Sequence, residues 1–311
     1  MGRRSKPLAL ARIFTLAASV AAPGLVHAAD LDFLPPPPPP PPPAVEFGGG
    51  WYLRGDVGAS IYTRPKLSTV PSPDVVNYYN TDLGGGGFAG IGVGYQFNSW
   101  LRGDVTGEYR FSSGFRTNDR IKSQYSTYDD NGLRKDYDET THETTNGNYS
   151  AAVVLVNGYA DLGTYYGVTP FIGAGVGAAF HRFSGLSETS QITGSYTYPD
   201  YPDAGAVGYQ NISGGTYKTQ IKTSFAWALH AGLSYAVTPN LKLELAYRYL
   251  NMGEGSTGVL NCFCGSTLTP IKVKDIESHD IKLGMRWMFG APVVAAYEPP
   301  PPPMMPLVRK Y

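Results

Sequence analysis

Between residues 51 and 289, apolar and polar side chains alternate with a period of two in eight separate runs. A strand sends successive side chains to opposite faces, so each run predicts a strand with one apolar face and one polar face. In the run 281–289, Ile281, Leu283, Met285, Trp287 and Phe289 alternate with Lys282, Gly284, Arg286 and Met288. In the run 51–62, Trp51, Leu53, Val57, Ala59 and Ile61 oppose Arg54, Asp56 and Ser60. The other predicted strands are 85–97, 101–111, 149–163, 169–183, 222–237 and 241–250. Between the strands, long and short connections take turns. The segments 63–84, 112–148, 184–221 and 252–275 are long; 98–100, 164–168 and 238–240 are tight turns.

A soluble sandwich has no reason to alternate its loop lengths so regularly. A membrane barrel does, with short turns on one side and long loops on the other. The expected fold is all-β, an eight-stranded antiparallel transmembrane β-barrel over 50–289. Such a barrel has room inside for side chains and little else. The inward positions would then be Arg54, Asp56, Arg102, Asp104, Glu108, Arg110, Lys242, Glu244, Arg248, Lys282 and Arg286, with Asp161 among them. Two readings stay open: a salt-bridged plug that replaces an apolar core, or a narrow ion path.

The ends change the picture. Arg3, Arg4, Lys6 and Arg12 precede a short apolar stretch, 13–22, and then Val26-His27-Ala28. This reads as a cleaved export signal over 1–28, with the mature chain starting at Ala29-Asp30. Removing it leaves 21 basic against 25 acidic residues, a net charge of −4, which argues against a nucleic-acid partner. No later segment is apolar for long enough to span as a helix, so a closed barrel is the remaining membrane route. Residues 29–49 form a proline-rich tail whose nine prolines, 35–43, would make a stiff polyproline rod of about 28 Å. A second proline-rich tail occupies 290–311.

Chemistry-bearing motifs are sparse. Gly173-Ala174-Gly175-Val176-Gly177 lies inside a strand, so it lacks the strand-turn-helix context of a nucleotide loop. Cys262 and Cys264 have no His or third Cys nearby; a local loop disulfide is the expected state, with a metal or redox pair as the alternative. The histidines show no ligand spacing, and no Ser/His/Asp arrangement is legible. No enzyme activity and no cofactor are expected.

Four phrases carry a resemblance: GYQFNSWLRGDVTGEYR (94–110), GVTPFIGAGVGAAF (167–180), YAVTPNLKLELAYRY (235–249) and IKLGMRWMF (281–289). Over 50–289 the chain resembles the small eight-stranded outer-membrane barrels, the OmpA-like transmembrane domain and the porin-like surface antigens of Gram-negative bacteria. The resemblance implies the outer membrane as location, with lipid and lipopolysaccharide around the barrel and both proline-rich tails in the periplasm. It also implies periplasmic chaperones and the barrel-assembly machinery as partners, with Met285, Trp287 and Phe289 forming the assembly signal. Chains of this kind usually end at the final aromatic, whereas this one continues for 22 residues past Phe289. No globular peptidoglycan-binding domain like that of longer members is expected in 290–311, which is too short for one. The Ala29-Asp30 start resembles barrels joined covalently to peptidoglycan. There an L,D-transpeptidase links the α-amine of the first residue to a stem peptide, which would make Ala29 the acceptor and Asp30 a recognition residue. The functional expectation is a structural barrel that tethers the outer membrane and shows its Tyr-rich loops outside. The alternatives are a small porin or ligand-uptake barrel for ions, small solutes or haem, and a host or phage receptor.

Overall fold

The computed structural model describes residues 50–69 and 75–289. The segment expected as an export signal, Ala29, Asp30 and both proline-rich tails lie outside the described residues.

Eight long strands form the wall: β1 (Gly50–Tyr62), β2 (Gly86–Gln96), β3 (Leu101–Tyr128), β4 (Arg134–Asp161), β5 (Val168–Thr197), β6 (Gln220–Ala236), β7 (Leu241–Asn251) and β8 (Glu277–Met288). Each pairs antiparallel with its sequence neighbours, and β8 pairs back onto β1, so the ring closes. Closure leaves no free edge in the ring, the condition for backbone in lipid. Local chemistry sets the short turns. Asn98 Oδ1 accepts from the backbone N–H groups of Trp100 and Leu101, and Thr238 Oγ1 does the same for Asn240 and Leu241.

The outward face is apolar. Leu53, Val57, Ile91, Val93, Val105, Val156, Val176, Leu229, Leu245 and Leu283 are exposed in a continuous band. Trp51, Phe97, Trp100, Tyr235, Trp287 and Phe289 rim it at the short-turn end, and Tyr109, Phe111, Phe180, Phe225 and Tyr247 at the other. Aromatic rings favour both membrane interfaces, so the band marks the lipid-spanning height.

Three connections depart from expectation, the first being 63–84, where Val75–Leu83 is a strand paired antiparallel with β3. The polar stretches 112–148 and 184–221, expected as loops, are largely strand. β3, β4 and β5 run past the barrel rim, flanked by Val75–Leu83 beside β3 and Val207–Tyr217 beside β5. Register shifts at Arg110/Ser113 and at Asn146/Asn148 mark the passage from barrel wall to external sheet. Both faces of this sheet are polar, so no apolar alternation announces it. Its Thr, Tyr and Ile content is what suits a strand.

Candidate functional site

The barrel interior has two layers. The polar layer is built from inward positions of all eight strands, with His230 of β6 meeting Asn157 of β4 at 3.2 Å. In the half nearer the short turns, Arg54 is the hub. Its Nε and Nη2 donate to Asp56 at 2.9 Å each, its Nη1 to Asp104 at 2.7 Å and to the Tyr159 hydroxyl at 3.1 Å, and its Nη2 to Glu244 at 3.2 Å. Glu244 also faces Arg102 at 3.3 Å and Arg286 at 3.2 Å, while Arg102 Nε donates to Asp161 at 3.1 Å. The Arg102 guanidinium lies between the rings of Tyr159 and Phe171, 4.2 and 4.6 Å from their centroids. Lys282 reaches Asp56 at 3.6 Å. Lys242 is half-buried opposite Arg286 in the β7–β8 register and forms no ion pair among the described residues.

Small residues make room for these long side chains. A Cβ at Gly94 would sit 2.3 Å from the Tyr52 ring, and one at Gly284 would sit 2.5 Å from Asp56 Oδ1. The inward glycines are therefore the counterpart of the inward arginines and tyrosines.

In the half nearer the long connections, two arginines share two carboxylates. Arg110 donates to Asp280 at 2.8 and 3.1 Å, and Arg248 donates to it at 2.7 and 2.9 Å. Glu108 takes two bonds from Arg248, at 2.7 and 2.8 Å, and one from Arg110 at 3.1 Å. Phe88 lies 5.2 Å from the Arg110 guanidinium and 4.9 Å from that of Arg248. Asp280 falls outside the inward set expected from the sequence because the last predicted strand begins at residue 281, whereas β8 begins at Glu277. Inward Tyr52, Tyr62, Phe88, Tyr159 and Phe171 also fall outside that set. An aromatic ring fits either face of a barrel strand, and only the position parity of neighbours such as Arg54 could have placed Tyr52 inside.

Above this layer sits an apolar cap. Tyr62, Leu83, Phe115, Tyr149, Phe183, Leu186, Leu250, Met252, Ile271, Val273 and Ile276 form one buried cluster. The long connections supply part of it. Lys66–Thr69 pairs with Ile271–Lys274, which pairs with Gly255–Ser256, and Ile271 and Val273 turn into the cluster. An ion-paired layer under an apolar one is a packed core, in which most charges face an opposite charge.

The external sheet carries its own chemistry. Asp119, Glu143 and Glu188 share the face that continues the barrel interior, on neighbouring strands. Asp119 and Glu188 lie eight residues past the rim aromatics Phe111 and Phe180, outside the lipid-spanning band. Ser190 donates to Glu143 at 3.1 Å, and Tyr217 and Thr145 donate to Glu188. Burial first, and then neighbouring carboxylates, push Asp119 up to about 6, and Glu143 and Glu188 each up to about 7. Further out on the same face, Tyr125, Tyr137, Tyr196 and Tyr209 gather around Glu139.

Cys262 and Cys264 are joined by a disulfide in the last long connection, beside Val207–Tyr217. Met285, Trp287 and Phe289 are exposed on the outward face at the end of β8. No group of three His, Cys, Asp or Glu able to hold a metal occurs among the described residues.

The family model of the outer membrane protein β-barrel domain matches residues 15–289. An uncharacterized protein of Brucella abortus is 32% identical over 264 residues, covering 77% of this chain and 85% of that protein. A candidate adhesin of Rickettsia felis is 26% identical over 250 residues, covering 78% of this chain and 90% of its own length. The solved outer membrane protein OprG of Pseudomonas aeruginosa is 11% identical, covers 78% of this chain and 97% of its own, and superposes with a TM-score of 0.39, a likeness too weak to carry weight.

Proposed function

This chain belongs to the outer membrane protein β-barrel family, and from that premise we propose that it is a non-conducting structural barrel that ties the outer membrane to the cell wall and holds a β-sheet outside the cell. The observation that carries the reading is the filled interior, an ion-paired layer beneath an apolar cap. A solute path would need a continuous polar passage, and the cap replaces it with packed side chains. The long connections face outward and both proline-rich tails lie in the periplasm, the usual polarity of such barrels. The similarity to a candidate rickettsial adhesin favours an external binding role for the sheet.

The tether rests on the sequence. Ala29-Asp30 follows the predicted cleavage point and precedes nine prolines, a run that as polyproline would have a contour of about 28 Å. An L,D-transpeptidase would join the Ala29 amine to a peptidoglycan stem peptide, with Asp30 as a recognition residue. Met285, Trp287 and Phe289 would be read by the barrel-assembly machinery after periplasmic chaperones deliver the chain. Mass spectrometry of muramidase-digested sacculi tests the tether. A peptide starting at Ala29 with a muropeptide on its amine is the expected result. A wholly free Ala29 amine in a fully detergent-extractable protein refutes it. Planar-bilayer recording tests the plug separately, and steady conductance by the intact protein would favour the porin reading instead.

A further inference from the structure

The outer end of the external sheet shows a face with an unusual inventory. Directly opposed residues in an antiparallel sheet share a face. The register aligns Tyr125 with Tyr137 and Tyr137 with Tyr196, and the next row aligns Ser123, Glu139, Gly194 and Tyr209. Four tyrosines and one glutamate therefore occupy one side of four adjacent strands. Tyr125 and Tyr137 stack at 4.9 Å, and Tyr137 lies 5.3 Å from Tyr196 and 6.0 Å from Tyr209. Gly194 lets the Tyr209 ring lie over the sheet, because a Cβ there would meet that ring at 2.8–2.9 Å. Tyr125 and Tyr209 both donate to Glu139 Oε1. Oε2 receives no donor, and Glu139 forms no salt bridge among the described residues.

The same face already holds one cation. Lys135 Nζ lies 4.8 Å from the Tyr196 ring centroid and 5.3 Å from that of Tyr198, a paired cation–π contact made within the chain. Lys135 is the one basic residue on this face over 117–127 and 135–145. Asp119, Glu139 and Glu143 share the face there, and Glu188 joins them from β5. The opposite face of β3 carries Arg116, Arg120 and Lys122 instead. The three β3 cations thus lie on the other side of the sheet, beside Asp136 and Asp138, and only the tyrosine side combines clustered rings with a carboxylate.

We infer that this tyrosine face is a docking surface for a Lys- or Arg-rich protein segment, whose cationic side chains lie on the ring faces while one pairs with Glu139. Tyr125 is exposed and Tyr137, Tyr196 and Tyr209 are half-buried, and such pre-ordered rings lose little side-chain freedom on binding. The Glu139 carboxylate, set among the rings, draws a basic partner toward them. The inference deepens the external binding role proposed above, but it is independent of the Ala29 tether and of conductance.

The test uses the full-length protein in detergent micelles and a fluorescent oligolysine peptide, read by anisotropy at physiological ionic strength. Wild type is expected to bind. Glu139→Gln and Tyr137→Leu are each expected to weaken binding by about three- to tenfold. Asp138→Asn removes the same charge from the opposite face of the same strand and is expected to stay within about twofold. Glu139→Gln preserves the shape of the carboxylate, so a folding defect in Tyr137→Leu would not leave the matter open. Absence of binding by wild type overturns the inference. So does an equal loss in D138N and E139Q, which would make the attraction a matter of net charge alone. Displacement of the peptide by a neutral oligosaccharide would reassign the face to sugars and overturn it as well.

Discussion

Replacing Asp280 by Ala should destabilise the barrel more than any change on its outer sheet. Asp280 is fully buried and accepts four charge-assisted hydrogen bonds, two from Arg110 and two from Arg248, at 2.7 to 3.1 Å. Each such bond contributes about 1.5–3 kcal/mol, but the four do not simply add. Glu108 stays in contact with both arginines, and Tyr62, Ser60 and Ser278 stay in contact with Arg110. The dominant effect is a net positive charge left in a dry interior, where breaking a buried pair costs about 3–5 kcal/mol. A loss near 4 kcal/mol is a change of roughly a thousandfold in the unfolding constant. Urea unfolding in lipid vesicles measures it. Trp51, Trp100 and Trp287 are exposed on the lipid-facing side, so their fluorescence follows departure from the bilayer. Asp280→Asn, which keeps the volume but not the charge, should behave almost as badly. The control is Asp136→Ala, whose pair with Arg134 has side chains 37% and 49% exposed; it should cost under about 1 kcal/mol. If D280A costs no more than D136A, the polar layer is not the core it is argued to be.

Three further outcomes follow from the geometry. Asp119, Glu143 and Glu188 have pKa values raised to about 6, 7 and 7 on folding. They therefore contribute stability fully below the unfolded carboxylate range, near 4, and lose it as pH rises through 6 to 7. Amide exchange in the external sheet, corrected for intrinsic rate, should be slower near pH 5 than near pH 8, and Glu188→Gln should flatten that difference. Deleting residues 255–274 removes Ile271 and Val273 from the cap; bilayer recordings of that variant should show leak events that the intact protein lacks, and a silent variant would mean that the polar layer seals the barrel alone. Reducing the Cys262–Cys264 disulfide, which spans one intervening residue, should change the urea midpoint of the barrel very little, because so short a loop removes little unfolded-chain entropy. A large shift would assign the bridge a global role.

The sequence alone determined the ring. A wall with lipid on one side and packed side chains on the other writes itself as alternation, and the short turns carry Asn98 and Thr238 where backbone N–H groups need acceptors. Hence the eight strands, the outward aromatics and the inward charges of β1, β3, β7 and β8 could be read from position parity. Three features needed the tertiary structure. Which carboxylate serves which arginine depends on strand register and on the room left by residues such as Gly94 and Gly284, so Arg54 contacts Glu244 across 190 positions of sequence. The cap joins residues as distant as Leu67 and Ile271, and nothing local marks them as partners. The external sheet has two polar faces, so the signal that revealed the barrel falls silent there. Its tyrosines became a single surface only when four strands set Tyr125, Tyr137, Tyr196 and Tyr209 side by side. Alternation reports which side of a strand meets a different medium; where both faces are polar, only pairing decides the structure.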